Sequence, residues 1–175
     1  MPLTVPVPSV DTAQQTLFVT THVHTDGPIP GPHSLLTLTA SAYRADGVPI
    51  GTFTANLREL PGATLHPTAL ETWRDRADDW LWTRRAARPP AQVVNAFLSW
   101  VEDLGRSPVF VTDPEQPDHL FCYWYLQRFA GRWPFAGITP AIDGPDRALS
   151  PPACPLSGCR PADGSARPVL VAPAA

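Results

Sequence analysis

The chain has 175 residues, a net charge of −3, 43% apolar residues and six tryptophans, which suits one domain with a real core. So small a net charge gives no global electrostatic case for a nucleic-acid or membrane partner, and all 13 basic residues are arginine, a bias that accompanies the Ala-, Pro- and Gly-rich composition. No apolar run approaches the ~18 residues that span a bilayer, and MPLTVPVPSVDTAQQ lacks the basic and long apolar segments of a secretory signal. The chain is therefore expected in the cytoplasm.

Residues 1–14, with alternating prolines, read as an extended leader ahead of a domain over 15–150. Thr16 to Leu38 reads as a buried strand, a tight Gly/Pro turn and a second strand. His22 and His24 stand two apart near the end of the first strand, so alternation sends both to one face. Ser34 to Tyr43 alternates apolar and small polar residues, Asp46-Gly47 signals a turn, and Val48 to Ala55 completes an antiparallel hairpin. Pro49 and Gly51 assign that third strand to an edge or a bulge.

Asn56 to Pro67 reads as loop, and Thr68 to Trp82 as one helix. Pro89 to Leu104 is the clearest helix, with Val93, Val94, Phe97, Leu98, Val101 and Leu104 in one apolar stripe and Gly105 as its stop. Pro108 to Thr112 is a short apolar run that reads as a strand buried on both faces. Pro117 to Ala130 then reads as a helix with Asp118 in its first turn. Its predicted buried side is Leu120, Phe121, Trp124, Tyr125 and Phe129. Of three cysteines, Cys122 is predicted to be a buried small hydrophobe, while Cys154 and Cys159 lack zinc-site spacing. From Pro151 onward the Pro/Ala-rich composition reads as a disordered tail, the appearance that a frameshift or truncation of a longer gene would also give.

Two stretches carry a resemblance to a known family. Asp26-Gly27-Pro28-Ile29-Pro30-Gly31-Pro32-His33-Ser34-Leu35 and the block from Pro108 to Gly137 resemble the DEDD 3′–5′ exonuclease superfamily over roughly Leu17 to Leu149. The resemblance implies an α/β, RNase H-like exonuclease fold: a mixed sheet with an antiparallel three-strand start, flanked by helices. It implies metal-dependent removal of nucleotides from the 3′ end of single-stranded RNA or DNA, with Mg²⁺ or Mn²⁺ as cofactor, and leaves monomer or homodimer open. Asp118 matches the second-motif Asp, while the Asp-x-Glu positions fall on His22 and His24. These three take the catalytic positions, and with Asp143 they form the implied metal set. The turn residues Asp26, Gly27, His33, Ser34 and Leu35 take the implied substrate-binding positions. The family's third motif, a His-x4-Asp or Tyr-x3-Asp, has no counterpart in the remaining residues.

The departures fall on the groups that do the chemistry. Two divalent ions about 4 Å apart need hard oxygen ligands, and exchanging Asp and Glu for two imidazoles removes two negative charges. Three readings of the histidines stay open. They belong to a decayed site and bond locally; or, with Asp118, they form a single site for Zn²⁺, Mn²⁺ or Fe²⁺; or Asp26 or Asp143 rescues metal binding and residual exonuclease activity. Asp26 is predicted foremost to be a turn residue bonding the backbone at Gly27. Arg84, Arg85 and Arg88 form a small basic cluster, but Asp75, Asp78 and Asp79 nearby make an ordinary solvated helix end the better reading. Tyr123, Trp124 and Tyr125 are expected to build core rather than stack bases. Gly-rich phosphate loops, Gly-x-Ser-x-Gly elbows and a Cys–His nucleophile pair are absent from the sequence. The different-class alternative is a non-catalytic nucleic-acid-binding or protein-interaction module on the same fold.

Overall fold

The computed structural model describes residues 16–141, so Asp143, Cys154, Cys159 and the predicted leader and tail lie outside the described residues. The elements run β1 (Leu17–Thr25), β2 (Leu35–Arg44), β3 (Pro49–Asn56), α1 (Pro67–Arg74), α2 (Ala77–Arg84), α3 (Pro90–Asp103), β4 (Val109–Thr112), α4 (Asp118–Ala130) and β5 (Gly137–Pro140). They build one five-stranded sheet in the order β3-β2-β1-β4-β5. The first three strands are antiparallel, and β4 and β5 run parallel to β1. This is the mixed α/β sheet with an antiparallel start that the sequence predicts. β3 is an edge strand, and its register slips between Ala42 and Tyr43, opposite Gly51 and Pro49, so the expected bulge and edge position occur together.

Cross-strand partners share a face, and the two faces differ in chemistry. Val19↔Ala42, Thr21↔Ala40 and Val23↔Leu38 form the apolar side, which packs with Phe110 under Val93, Val94, Phe97 and Val101 of α3 and Phe121, Tyr125 and Leu126 of α4. Each large side chain buried there contributes roughly 2 kcal/mol. The other face carries Thr20↔Ser41, His22↔Thr39 and His24↔Thr37. At the His24 end it is covered by α1 and α2 through a second apolar cluster centred on Leu36 and Trp73.

Three details depart from the sequence reading. The helix expected over Thr68 to Trp82 is two helices, broken where Arg76 leaves helical geometry at φ −131, ψ 49. Trp73 and Trp80 would sit roughly 10 Å apart along an unbroken helix; the break brings their rings to 5.3 Å and closes the cluster. In α4 the buried side is Asp118, Phe121, Cys122, Tyr125 and Leu126, while Leu120 is 48% exposed. Those residues share the i, i+3, i+4, i+7, i+8 stripe, and Leu120 and Tyr123 fall off it; of the three consecutive aromatics, only Tyr125 is fully in the core. Finally, β5 has no counterpart in the sequence reading, because a four-residue strand of Gly, Ile, Thr and Pro carries no period and is held by its pairing with β4.

Candidate functional site

The end of β1 and the turn after it form the place where the expected site residues gather. β4 pairs with β1 only over Phe18 to Thr20, which leaves the later β1 backbone beside the start of α4. There Asp118, buried in the first turn of α4, accepts the Val23 N–H through Oδ1 at 3.2 Å. Burial raises its carboxyl to about 7, Asp113 adds to the rise, and the Val23 N–H opposes it. Cys122, one turn along, is buried as expected, and burial pushes its thiol up. Asp118 thus reaches β1 from the side covered by α4.

His22 and His24 project from the opposite face, ring to ring, with centroids 4.9 Å apart and planes nearly perpendicular. His24 packs on Trp73 at 5.7 Å, and Trp73 is itself fixed by its indole N–H donating to the Thr25 carbonyl at 3.2 Å. Burial lowers both imidazoles, and the Arg76 guanidinium lowers them further; His24 falls to about 3, with His22 adding to the fall and Asp79 opposing it. Both rings are therefore neutral near pH 7. Arg76 Nε donates to Asp79 Oδ2 at 2.9 Å, and Asp79 is only 4% exposed. The sequence reading placed Asp79 on a solvated helix end; instead it is a buried partner for the guanidinium beside the histidines. Trp73, Arg76 and Asp79 gather at the His24 end of the histidine pair and were missed, because an unbroken helix would have dispersed them. The seven-residue repeat of Trp73 and Trp80 was the available signal.

The turn is a clasped loop rather than a free one. Asp26 is buried, and its Oδ1 accepts the Ser34 N–H across the turn, not a bond at Gly27 as expected. The turn's backbone explains the change: the Asp26 N–H donates to the Ser34 carbonyl at 3.1 Å, and the Asp26 carbonyl accepts from His66 N–H at 2.8 Å. Burial raises the Asp26 carboxyl, while the Ser34 backbone and hydroxyl bonds pull it back. Ser34 and Leu35 are wholly buried. The Ser34 hydroxyl accepts from Leu60 N–H at 3.0 Å, and the Leu35 N–H donates to the Tyr125 hydroxyl at 2.7 Å. His33 donates from Nδ1 to the Thr64 carbonyl at 2.7 Å, and its ring lies flat over Gly27, in space that a Cβ there would need. Of the five turn residues expected to touch substrate, His33 keeps the most surface. Arg84, from the basic cluster, lies 4.3 Å over the Trp80 ring and pairs with Glu59.

A pair of Mg²⁺ ions does not fit these groups. His22 and His24 present two neutral imidazoles that feel a guanidinium, and Asp79, whose charge His24 also feels, is already paired with that guanidinium. Asp118 is engaged with the Val23 N–H from the start of α4. Among the described residues no three His, Cys, Asp or Glu side chains are grouped to hold a metal ion.

No family model and no curated protein matches the chain. Solved structures do. The product-bound form of exonuclease I superimposes with a TM-score of 0.52 and 14% identity, over 66% of this chain and 26% of that one. The zinc-ion-bound complex of E. coli exonuclease I with single-stranded DNA gives 0.52 and 14%, over 73% and 28%. E. coli exonuclease I with a 5cy-dT13 oligonucleotide gives 0.51 and 16%, over 71% and 28%. The chain thus spans about a quarter of the length of the exonuclease I chains it resembles. At these identities the likeness establishes the architecture: an α/β domain of the RNase H-like fold found in exonuclease I.

Proposed function

We propose that the chain is an RNase H-like domain derived from a 3′–5′ exonuclease, which binds the 3′ end of single-stranded RNA or DNA and has lost metal-dependent hydrolysis or keeps only a residue of it. The binding half of this reading is supported by the fold shared with exonuclease I, whose solved forms include complexes with single-stranded DNA and oligonucleotides. The catalytic half rests on one observation: the two positions that should carry carboxylates carry His22 and His24, both neutral and next to a guanidinium. Without those charges, two hard divalent cations beside a phosphate are not offset.

The test is a cleavage ladder on 5′-labelled single-stranded RNA and DNA with Mg²⁺, Mn²⁺ or Zn²⁺, beside Asp118→Ala and the double revertant His22→Asp/His24→Glu. The native chain is expected to retard the oligonucleotide without shortening it. Stepwise shortening by the native chain that vanishes in Asp118→Ala would establish a working metal site and overturn the loss of hydrolysis. Failure to retard either oligonucleotide would overturn the binding.

A further inference from the structure

The fold gathers arginines that lie far apart in the sequence. We propose that the groove between the segment after β3 and the segment after α2, carrying Arg58, Arg84, Arg85 and Arg88, binds the phosphate backbone of a single-stranded oligonucleotide. This rests on the nucleic-acid reading above and names the surface that would carry the strand.

The chain leaving α2 runs back alongside the chain leaving β3, where Leu57 and Arg88 form an isolated parallel bridge. The Arg88 N–H donates to the Asn56 carbonyl at 3.0 Å and the Arg58 N–H to the Arg88 carbonyl at 2.9 Å. Arg58 Nε adds a bond to the Ala87 carbonyl at 3.2 Å. The return is made at Ala86, the one non-glycine at positive φ among the described residues, at 50°. A side chain resists that geometry, so the paired backbone on either side has to hold it. Between the two segments lies a groove of 540 Å³ lined by Leu57, Arg58, Glu59, Arg84, Ala86 and Ala87.

Arg84 is paired with Glu59, while Arg58, Arg85 and Arg88 are exposed and form no ion pair among the described residues. The aspartates that the sequence sets against this cluster do not reach it: Asp78 and Asp79 are in the first turn of α2 and Arg84 in its last, and Asp79 is paired with Arg76. The groove and the segment that closes it thus carry four guanidiniums and one carboxylate, a surplus suited to a chain of phosphates. Its place in the fold agrees. β1 and β3 run in the same direction on either side of β2, with Asn56 across from Thr37 and Thr37 across from His24. Two strand spacings, about 10 Å, therefore separate the end of β3 from the end of β1. The Leu60 N–H, donating to the Ser34 hydroxyl at 3.0 Å, ties the chain beyond the groove to the β1–β2 turn. A strand whose end lies at that turn has the groove beside it.

The experiment titrates the full chain with a labelled oligothymidylate, and with a glutamate-rich peptide of equal charge, between about 50 and 200 mM salt. The variants are Arg58→Gln/Arg88→Gln, the charge-keeping pair Arg58→Lys/Arg88→Lys, and Glu59→Gln. The glutamine pair is expected to lower oligonucleotide affinity about tenfold at the lower salt and to reduce the logarithmic salt slope by about 1.4, or about 0.7 for each cation. The lysine pair is expected to keep the native slope, which separates lost charge from lost folding. Glu59→Gln, which removes the competing anion, is expected to raise affinity severalfold. Affinity and slope unchanged in the glutamine pair, or a slope that falls equally in the lysine pair, overturn the inference while leaving nucleic-acid binding standing. A native chain that binds no oligonucleotide overturns the nucleic-acid reading, and the inference with it. Peptide bound in its place through Arg58 and Arg88 gives the groove to an acidic protein partner instead.

Discussion

Asp118 shows how burial changes the physics of a carboxyl. In this chain the carboxyl is buried and meets the Val23 N–H, and burial raises it to about 7. The folded chain therefore holds its proton up to about pH 7, whereas the unfolded chain releases it near pH 4. Between those values the Asp118 site binds more proton in the native state, so its own contribution to stability falls as pH rises from about 4 to about 7 and then levels off, while the lowered imidazoles of His22 and His24 contribute the opposite slope. Asp118→Asn keeps the acceptor for Val23 and removes the titration. It is expected to raise the unfolding free energy by about 1–3 kcal/mol at pH 8, with the gap closing toward pH 4. Urea denaturation of both chains at the two pH values measures this, and a gap between variant and native chain that does not grow from pH 4 to pH 8 would refute it. Asp118 was legible from its place in a first turn after a buried strand; its protonation was not, because that depends on what α4 packs against.

At the scale of elements, the β1–β2 turn is specified by a contact no local pattern reveals. Gly27 carries the expected turn signal, yet its lack of a side chain matters because the His33 ring fills the space above it. Gly27→Ala is expected to push that ring off, break its bond to the Thr64 carbonyl and cost about 1–3 kcal/mol. Gly27→Ala in a His33→Ala background should cost less than in the native chain. Thermal unfolding of the two single variants and the double variant gives the cycle, and simple additivity would refute the contact. The same scale explains the broken helix. Nothing between Thr68 and Trp82 is a Pro or Gly, so local propensity favours continuity, and packing of Trp73 and Trp80 decides for a break.

For the whole molecule, the sheet has one face built for a core and one built from hydroxyls and imidazoles. The hydroxyls on the second face are not equivalent. Thr37 donates to Asn56 Oδ1 at 2.9 Å, and Asn56 in turn holds the Trp82 and Arg85 carbonyls that end α2. Thr20 and Thr39 are buried with no hydrogen-bond partner for their hydroxyls. Thr39→Val, which keeps the shape and removes a buried polar atom, is expected to stabilise the chain by about 1 kcal/mol, and Thr37→Val to destabilise it by a similar amount. Equilibrium unfolding in urea reads both signs, and two changes of the same sign would count against this division of the face.

The sequence by itself determined the periodic and locally punctuated parts: the β1–β2–β3 hairpins, the buried β4 run, the α3 stripe, and the placement of His22 and His24 on one face. Strand alternation and helical spacing are properties of the backbone, so they can be read without knowing any neighbour. Tertiary structure alone decided which residues meet across the chain. It brought Arg76 and Asp79 beside the Trp73 ring on which His24 packs, tied Asp118 to the Val23 N–H, buried Asp26 against Ser34, and paired Gly137–Pro140 with β4. Those outcomes depend on which apolar surfaces can be covered together, a long-range condition that no short stretch of sequence contains.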